Sequence, residues 1–473
     1  MVFSRIRAVT THASILSGCR RSPSFLISPT MRRPVFRESS HRNGFKIGFV
    51  RFFSELTALH DDTDASMDHK RPSCSEYDFS SRVLARKSDG GLRQRRPIKS
   101  LLILGDGDLS FGSLVTRLSN ERSGTFSPDT DITVTVLEER DRHSKIYGRS
   151  RLNERTIVDG GGRTQYGVDA TRLSEFVVGR YDRVQFNFPH WQGKNNNRRN
   201  RQLIADMLKS AMEVLTEPVV DSVTASSSPD DVSYIVPPGE IHVALVEHQG
   251  GVTSRSDQEW KMSWMVPVHA AAAGLLQVGL EPFQVSYSRA SYRGVDKPFH
   301  VKEMPQLHIF AKSDGVLECP KSLQLCCRFE LHISLPPQKD ENCWNDTKTK
   351  RRQLSRDEIL DAYIIRSHVQ PLMPRGMEAD VSFAGVFTRG QVDCDGLSSA
   401  AHLIVLRGVR RPVVREECDA LRAKIEEAML EICSLRGDKT GRMVSKPIPY
   451  DLLRRKWEAD ENNGVDARSW GSR

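Results

Sequence analysis

No apolar run in this chain approaches the ~18–20 residues that a bilayer-spanning helix needs, and its mean hydropathy is −0.46. A membrane partner is therefore not expected. The nine cysteines are odd in number and contain no C-x-x-C pair. Cys319, Cys326 and Cys327 cluster, yet without the ligand spacing of a zinc finger or ribbon, so the thiols are expected to be reduced and structural and no metal is expected. The chain has 473 residues, enough for two to three domains with real cores and no need of metal or disulfide staples.

A basic excess is also absent from most of the chain, despite a net charge of +9 and a pI near 9.1. Ten Arg and Lys residues against the single acid Glu38 in the first 54 positions account for the whole surplus, leaving 59 residues of each sign in the remainder. Global charge therefore says nothing about nucleic acid, and any basic surface must be a local patch. The Arg- and Ser-rich, acid-poor first segment has the composition of an organellar transit peptide, ending in Val50-Arg-Phe-Phe-Ser54. Residues 1–53 are expected to be a mitochondrial leader, a nucleolar or cytoplasmic address being the alternative. Residues 54–97 read as a disordered linker.

Ordered structure is expected from residue 98. Lys99 to Leu104 is a short apolar run ending at Gly105, and Phe111 to Leu118 has helical spacing. Further strands are predicted at Ile132–Leu137, Gln165–Val168, Arg183–Phe188, Ile241–Val246, Phe283–Tyr287 and Gln306–Ala311. Helices are predicted at Leu173–Val178, Arg198–Leu215 and Glu259–Gly279. Such alternation predicts a doubly wound parallel α/β sheet. An antiparallel pair at its edge gives the element order of a Rossmann-like methyltransferase domain, residues 98–314. The Ser-, Pro- and Asp-rich stretch 217–239 reads as a disordered insertion.

Beyond about residue 315 the pattern changes. Strands are predicted at Arg328–Leu335, Asp380–Thr388 and Ala400–Leu406, with helices at Arg356–Ser367 and Arg415–Leu435. The order β-α-β-β-α predicts a smaller α+β ferredoxin-like domain, residues 326–436, followed by a tail, 437–473, of unread structure.

Three segments carry chemistry. Leu104-Gly-Asp-Gly-Asp-Leu-Ser-Phe111 lies at a strand-to-helix junction. Its glycines allow close backbone approach, and the helix N-terminus offers N–H groups. No Gly-Lys-Ser/Thr follows, which excludes a phosphate-binding P-loop. Asp106 and Asp108 would repel a pyrophosphate, whereas the cationic S-adenosylmethionine fits, with Gly105, Gly107, Ser110 and Phe111 around it. A tight turn without a ligand is the competing reading. Glu138, at the end of the second strand, is placed to receive ribose hydroxyls, and Asp169, after the third, to receive the adenine amino group. Asn187-Phe-Pro-His190 ends the fourth strand and is similar to the Asn-Pro-Pro-aromatic motif of amino-methylating enzymes. A structural turn is its alternative. The loop that follows, with Lys194, Arg198 and Arg199, is suited to phosphates or simply to solvent.

These segments, taken in order with Asn200-Arg-Gln-Leu203, Gly239-Glu-Ile-His-Val-Ala-Leu245, Trp260 to Leu275 and Ser291-Tyr-Arg-Gly294, resemble the uridine-N3 rRNA methyltransferase-like family. The resemblance implies S-adenosylmethionine binding and methyl transfer to N3 of a uridine in large-subunit rRNA. The chain departs from the family pattern at Asp106 (usually Glu) and Leu109 (usually Phe). It also inserts Trp191-Gln192 before Gly193, and Val246-Glu-His-Gln-Gly250 replaces a Lys-x-Gly. Leu397 to Arg407 and Arg411 to Cys418, with Arg328 to Leu335 as a first strand, resemble the ferredoxin-fold anticodon-binding domain familiar from phenylalanyl-tRNA synthetases. Together the modules resemble the ferredoxin-fold anticodon-binding domain-containing protein group, implying a structured RNA partner, rRNA foremost and tRNA through the second module.

On this reading Asn187 holds the uracil edge and His190 takes the N3 proton, since its ordinary pKa lies near working pH. Phe188 or Trp191 stacks on the base, and Pro189 keeps the turn rigid. A non-catalytic RNA-binding scaffold is the alternative. A small-molecule methyltransferase would leave the second module without a purpose. N-terminal sequencing of the native protein is expected to begin near Ser54, and an intact Met1 on a nucleolar protein would refute the leader.

Overall fold

In the computed structural model the described residues are 80–84, 95–121, 129–192, 196–220, 234–283, 285, 287, 304–335, 354–388, 398–433 and 448–452. All belong to one compact unit, Lys70–Arg473. The expected leader lies outside the described residues. Among them, no helix is long and apolar enough to cross a membrane.

The first module begins with β1 (Ser100–Leu104), α1 (Ser110–Asn120), β2 (Asp131–Thr135), α2 (Arg140–Ile146), α3 (Ser150–Asp159) and β3 (Arg163–Gln165). It continues with β4 (Arg183–Asn187), α4 (Asn197–Glu213), a short hairpin of β5 (Val219–Val220) and β6 (Tyr234–Val236), then β7 (Glu240–Leu245), α5 (Asp257–Met262), α6 (Val266–Ala272), β8 (Leu275–Pro282) and β9 (Gln306–Lys312). The sheet order is β3-β2-β1-β4-β7-β9-β8. Its first five strands are parallel, β9 is antiparallel to β7, and β8 is antiparallel to β9. This is the Rossmann-like arrangement expected.

Both faces are covered, which explains why β1 reads as an unbroken apolar run. Leu102 and Leu104 pack with Ile204, Met207 and Leu208 of α4 on one side, and Leu101 and Ile103 with Phe111, Leu114 and Val115 of α1 on the other.

Several sequence-based boundaries are corrected. Helix Glu259–Gly279 is two short helices and a strand. Met265 takes a left-handed conformation (φ 50°), Pro267 opens α6, and Gly274 (φ 83°) ends it, so residues 275–282 pair with β9. Of the expected strand Phe283–Tyr287, the described residues Phe283, Val285 and Tyr287 belong to no strand of the sheet. They join the core around Phe111 and Phe188, and this packing accounts for their apolar alternation. Leu173–Val178 is a 3-10 turn over Ala170–Glu175. Both ends of the expected disordered insertion pair as β5 and β6, with Tyr234 buried.

Part of the expected linker is also built into the fold. Ser81 Oγ, Arg82 N and Val83 N all donate to Glu240 Oε1 at 2.9, 2.5 and 3.2 Å. Arg183, fully buried, donates to Ser80 O at 2.7 Å and pairs with Glu240 at 3.5 Å. A buried carboxylate demands this company, since it cannot be left uncompensated away from water. Burial alone would raise the Glu240 carboxyl, but the hydrogen bond from His242, then the Arg183 charge and the Arg82 N–H, bring it down to about 2.

The second module runs β10 (Leu325–Ser334), α7 (Arg356–Leu360), α8 (Ala362–Val369), β11 (Met377–Thr388), β12 (Ser398–Gly408), α9 (Arg415–Cys433) and β13 (Ile448–Leu452). Its antiparallel sheet has the order β11-β12-β10-β13, the split βαβ arrangement of a ferredoxin-like fold. The fourth strand comes from what reads in sequence as the tail, because a five-residue strand is too short to show periodicity. Asp361 breaks the predicted helix in two by capping α8 through Tyr363 N. On α9, Leu421, Ile425 and Met429 are buried and Ile432 packs beside them, as the stripe predicts. Cys319 N bonds Val409 O at 2.8 Å and Ser313 Oγ bonds Arg410 O at 3.0 Å, joining the modules.

Burial pushes the imidazole of His308 down from 6.5 to about 3, and burial with the Arg183 charge does the same for His242. Both are neutral when folded, whereas the unfolded chain takes up protons from about pH 6.5. Stability is thus fully present above that pH and is lost as pH falls toward 3. For His308 the loss at about pH 5 is ~1–2 kcal/mol. Urea melts at about pH 7.5 and 5 are expected to show it, and His308→Gln to remove His308's share.

Candidate functional site

The strand order reverses between β1 and β4, so a crevice opens beyond their carboxyl ends, where open α/β sheets bind ligands. Register carries the two key loops to the same place. Leu104 pairs with Phe186, so the following residues, Gly105 and Asn187, emerge side by side. Gly105 has φ 57°, and a Cβ there would lie 2.8 Å from Phe186 Cε2. The turn therefore needs glycine both for conformation and for space.

The two acids of the glycine loop fold back on α1. Asp106 Oδ2 accepts from Gly112 N at 2.6 Å and Oδ1 from Phe111 N at 3.3 Å. Asp108 Oδ1 accepts from Ser110 N at 3.1 Å. The N–H groups expected to receive a ligand carboxylate are thus taken by the protein's own carboxylates, which the positive end of the helix favours. Burial, supported by the Asp108 charge, pushes the Asp106 carboxyl up to about 7 against the pull of those N–H bonds. Ser110 is buried. Phe111 is 1% exposed and packs on Phe283 and Tyr287. Phe111 is a core residue rather than part of the open edge, because α1 turns that face onto the sheet.

Two residues passed over in the sequence hold this loop. His143 on α2 is fully buried, and its Nε2 lies 2.5 Å from Gly107 O, with the ring against Tyr147 and Tyr166. Asn153 Nδ2 on α3 donates to Asp108 O at 2.8 Å. No apolar stripe announces the helices that carry them, because α2 buries only His143 and α3 only Ser150 and Ile157, while Leu152 and Val158 face solvent.

At the end of β2, Glu138 is half-buried and its carbonyl accepts from Gly167 N. The neighbouring Glu139 has its carboxylate 2.7 Å from where a Gly167 Cβ would stand, so it joins Glu138 as an acid at this edge. Asp169 Oδ1 accepts from Thr171 N at 2.9 Å and Thr171 Oγ1 at 2.7 Å. Burial works to raise its carboxyl, but these bonds and the Arg172 charge hold it below its ordinary value.

At the end of β4, Gln185 Nε2 donates to Asn187 Oδ1 at 2.5 Å. This orients the amide, and Asn187 Nδ2 is buried with no hydrogen-bond partner among the described residues. Phe188 takes φ 51° while its N–H bonds Ala244 O at 2.8 Å. Pro189 is buried. His190 Nδ1 lies 2.7 Å from Trp191 O. A carbonyl can only accept, so Nδ1 donates this bond, and in the neutral imidazole the lone pair is then on Nε2.

Residues 102–293 match the sequence model of the BMT5-like family, described as rRNA (uridine-N3-)-methyltransferase BTM5-like. The chain is also similar to human ferredoxin-fold anticodon-binding domain-containing protein 1, 31% identical over 226 residues that cover 46% of this chain and 31% of that one. The mouse homolog is 30% identical over 228 residues, with the same coverage. The chain thus spans about a third of the length of these curated relatives. Among solved structures, TrmN from Thermus thermophilus overlays with a TM-score of 0.26 at 16% identity, covering 45% of this chain and 44% of that one. The Rossmann-like assignment rests on the strand order.

Within the segment that matches this family model, the remaining expected residues line one end of α4. Trp191 N bonds Asn200 Oδ1 at 2.8 Å, and the Arg199 guanidinium lies 5.3 Å over the Trp191 ring. Arg198 is exposed, and Lys194 falls outside the described residues. The loop after β7, where the chain departs from the family pattern, follows the strand paired with β4. His248 (φ 64°) sits 3.2 Å from Glu247 Oε1 and 3.1 Å from Thr253 O.

Gly105→Ala is expected to lower stability by ~1–3 kcal/mol, combining the left-handed backbone with the clash on Phe186. A thermal melt of the purified variant checks this, and an unchanged midpoint would show that the loop relaxes freely.

Proposed function

We propose that this chain is an S-adenosylmethionine-dependent RNA methyltransferase acting on N3 of a uridine in large-subunit rRNA. One observation carries the reading: the buried, unpartnered Asn187 Nδ2 beside the glycine turn at the switch point. A buried amide donor without an acceptor costs ~1–3 kcal/mol, and a pyrimidine carbonyl oxygen would repay it. The BMT5-like match supports the same substrate class.

The residues present fit the cofactor. Asp106 faces a cation favourably once ionised, the solvent-exposed backbone of Gly105 allows approach, and Glu138, Glu139 and Asp169 offer acceptors for hydroxyl and amino groups. Bound there, S-adenosylmethionine supplies an electrophilic methyl carbon. Asn187 donates to a carbonyl of the uracil and sets its plane. Phe188 and Trp191 offer ring faces to the base, with Arg199 and Arg198 beside them for phosphates. His190 Nε2 accepts the N3 proton as the nitrogen attacks, and holding the reactants in line supplies most of the rate.

A non-catalytic RNA-binding protein is the second reading, favoured by the occupation of the α1 N-terminus by Asp106 and Asp108. The ferredoxin-like module would hold structured rRNA or tRNA, and the basic first segment supports a mitochondrial location.

Tritium transfer from labelled S-adenosylmethionine to mitochondrial and total RNA tests the proposal. Asn187→Ala is expected to slow transfer while leaving cofactor affinity within about twofold, since its amide acts on the base. His190→Ala is expected to cost ~10²–10⁴-fold near neutral pH and less at high pH, where solvent deprotonates the imide. A loss independent of pH would make His190 a positioning residue. Absence of transfer by the parent protein, with RNA bound, would leave the second reading standing.

A further inference from the structure

Outside the first 54 residues the chain is neutral, yet residues 140–155 hold six cations, Arg140, Arg142, Lys145, Arg149, Arg151 and Arg155, against Asp141 and Glu154. All six are exposed, whereas Glu154 is half-buried and paired with Arg140 at 3.0 Å. The other five make no ion pair among the described residues. This helical pair is the unit that grips the glycine loop through His143 and Asn153.

The pair also encloses a cleft of about 540 Å³, whose lining includes Arg140, Arg151, Arg155, Ser144, Ser150 and Tyr166, with Asp141, Glu154 and Asp159 among them. Arg151 and Arg155 are one helical turn apart on α3, a spacing that puts both guanidiniums on the same face. Arg140 lies 5.9 Å over the Tyr166 ring, held there by Glu154. Its carboxylate is therefore spent within the protein, which leaves Arg151 and Arg155 as the cations available to an anion. Successive phosphates joined by flexible sugars suit such a pair, and an aromatic ring capped by arginine suits a base between them.

We propose that the α2–α3 cleft is an RNA-backbone site, with phosphates of a single-stranded segment on Arg151 and Arg155. Tyr166 directly precedes Gly167, so the cleft adjoins the β3 end of the sheet edge, and RNA seated there would run toward the crevice between β1 and β4. The proposal rests on an RNA partner, as the methyltransferase reading does, but not on catalysis.

The test is binding without cofactor of an about 20-nucleotide fluorescein-labelled single-stranded RNA of mixed sequence, over a salt series. For the Arg151→Gln/Arg155→Gln variant of the full chain, affinity is expected to fall roughly 10-fold and the log–log salt slope by about 1.4, as for two lost phosphate contacts. Its melting midpoint and its S-adenosylmethionine affinity by calorimetry should match the parent's. An unchanged slope and affinity in this folded variant would overturn the site, as would failure of the parent to bind the RNA. Loss of binding in the variant with no methyl transfer by the parent would instead retain the site and discard the catalytic reading.

Discussion

Parallel pairing of β1 with β4 is the constraint on which the candidate site depends. The strands run the same way and pair Leu104 with Phe186, so the loops that follow must leave the sheet together. Each exit is then tied to a neighbouring strand: Asp106 N bonds Thr135 O, Val136 N bonds Gln165 O, and Phe188 N bonds Ala244 O. Backbone groups at a sheet edge need partners, and this lacing supplies them before any ligand is present. The edge is therefore a built surface, on which the side chains of Asn187, Glu139 and Asp169 are held in position.

Charge at the glycine loop is balanced internally. The positive end of α1 draws Asp106 and Asp108 onto its N–H groups, and the loop carbonyls are claimed in turn by His143 and Asn153. A carboxyl near 7 at Asp106 follows from burial beside a second acid. The loop is thus braced from α1 on one side and from α2 and α3 on the other. The braces are local hydrogen bonds, each worth ~1 kcal/mol on balance, so it is the arrangement rather than any one bond that keeps the loop in place.

Some features were legible because they depend on short-range pattern. The buried strand β1 carries a continuous apolar run, β4 and β7 alternate apolar with polar residues along Val184 to Phe186 and Ile241 to Val243, and α9 carries an unbroken stripe from Leu421 to Ile432. The motifs Gly105 to Phe111 and Asn187 to His190 announce themselves through residue types that serve poorly as ordinary strand or helix interior. Features resting on non-local contacts were misread. Phe111 lies beside the glycines in sequence yet faces the core. Phe283 and Val285 alternate like a strand because they pack on Phe111 and Phe188. Residues 80–84 look like linker until Glu240 is seen to need them.

By itself the sequence determined the periodicities, and with them the two α/β modules, the strand-to-helix position of the glycine loop and the amide-aromatic-proline-histidine end of β4. These follow from side-chain pattern and backbone preference within a few residues. Only the tertiary structure decided where the strands end up in the sheet. That order brings Gly105 to Asn187, leaves Asn187 Nδ2 buried without an acceptor, turns α1's N-terminus to the protein's own acids, and draws β13 from the chain's end to complete the second sheet. Each depends on residues about 80 or more positions apart, or on competition among partners for the same N–H groups, and no local pattern encodes which partner wins.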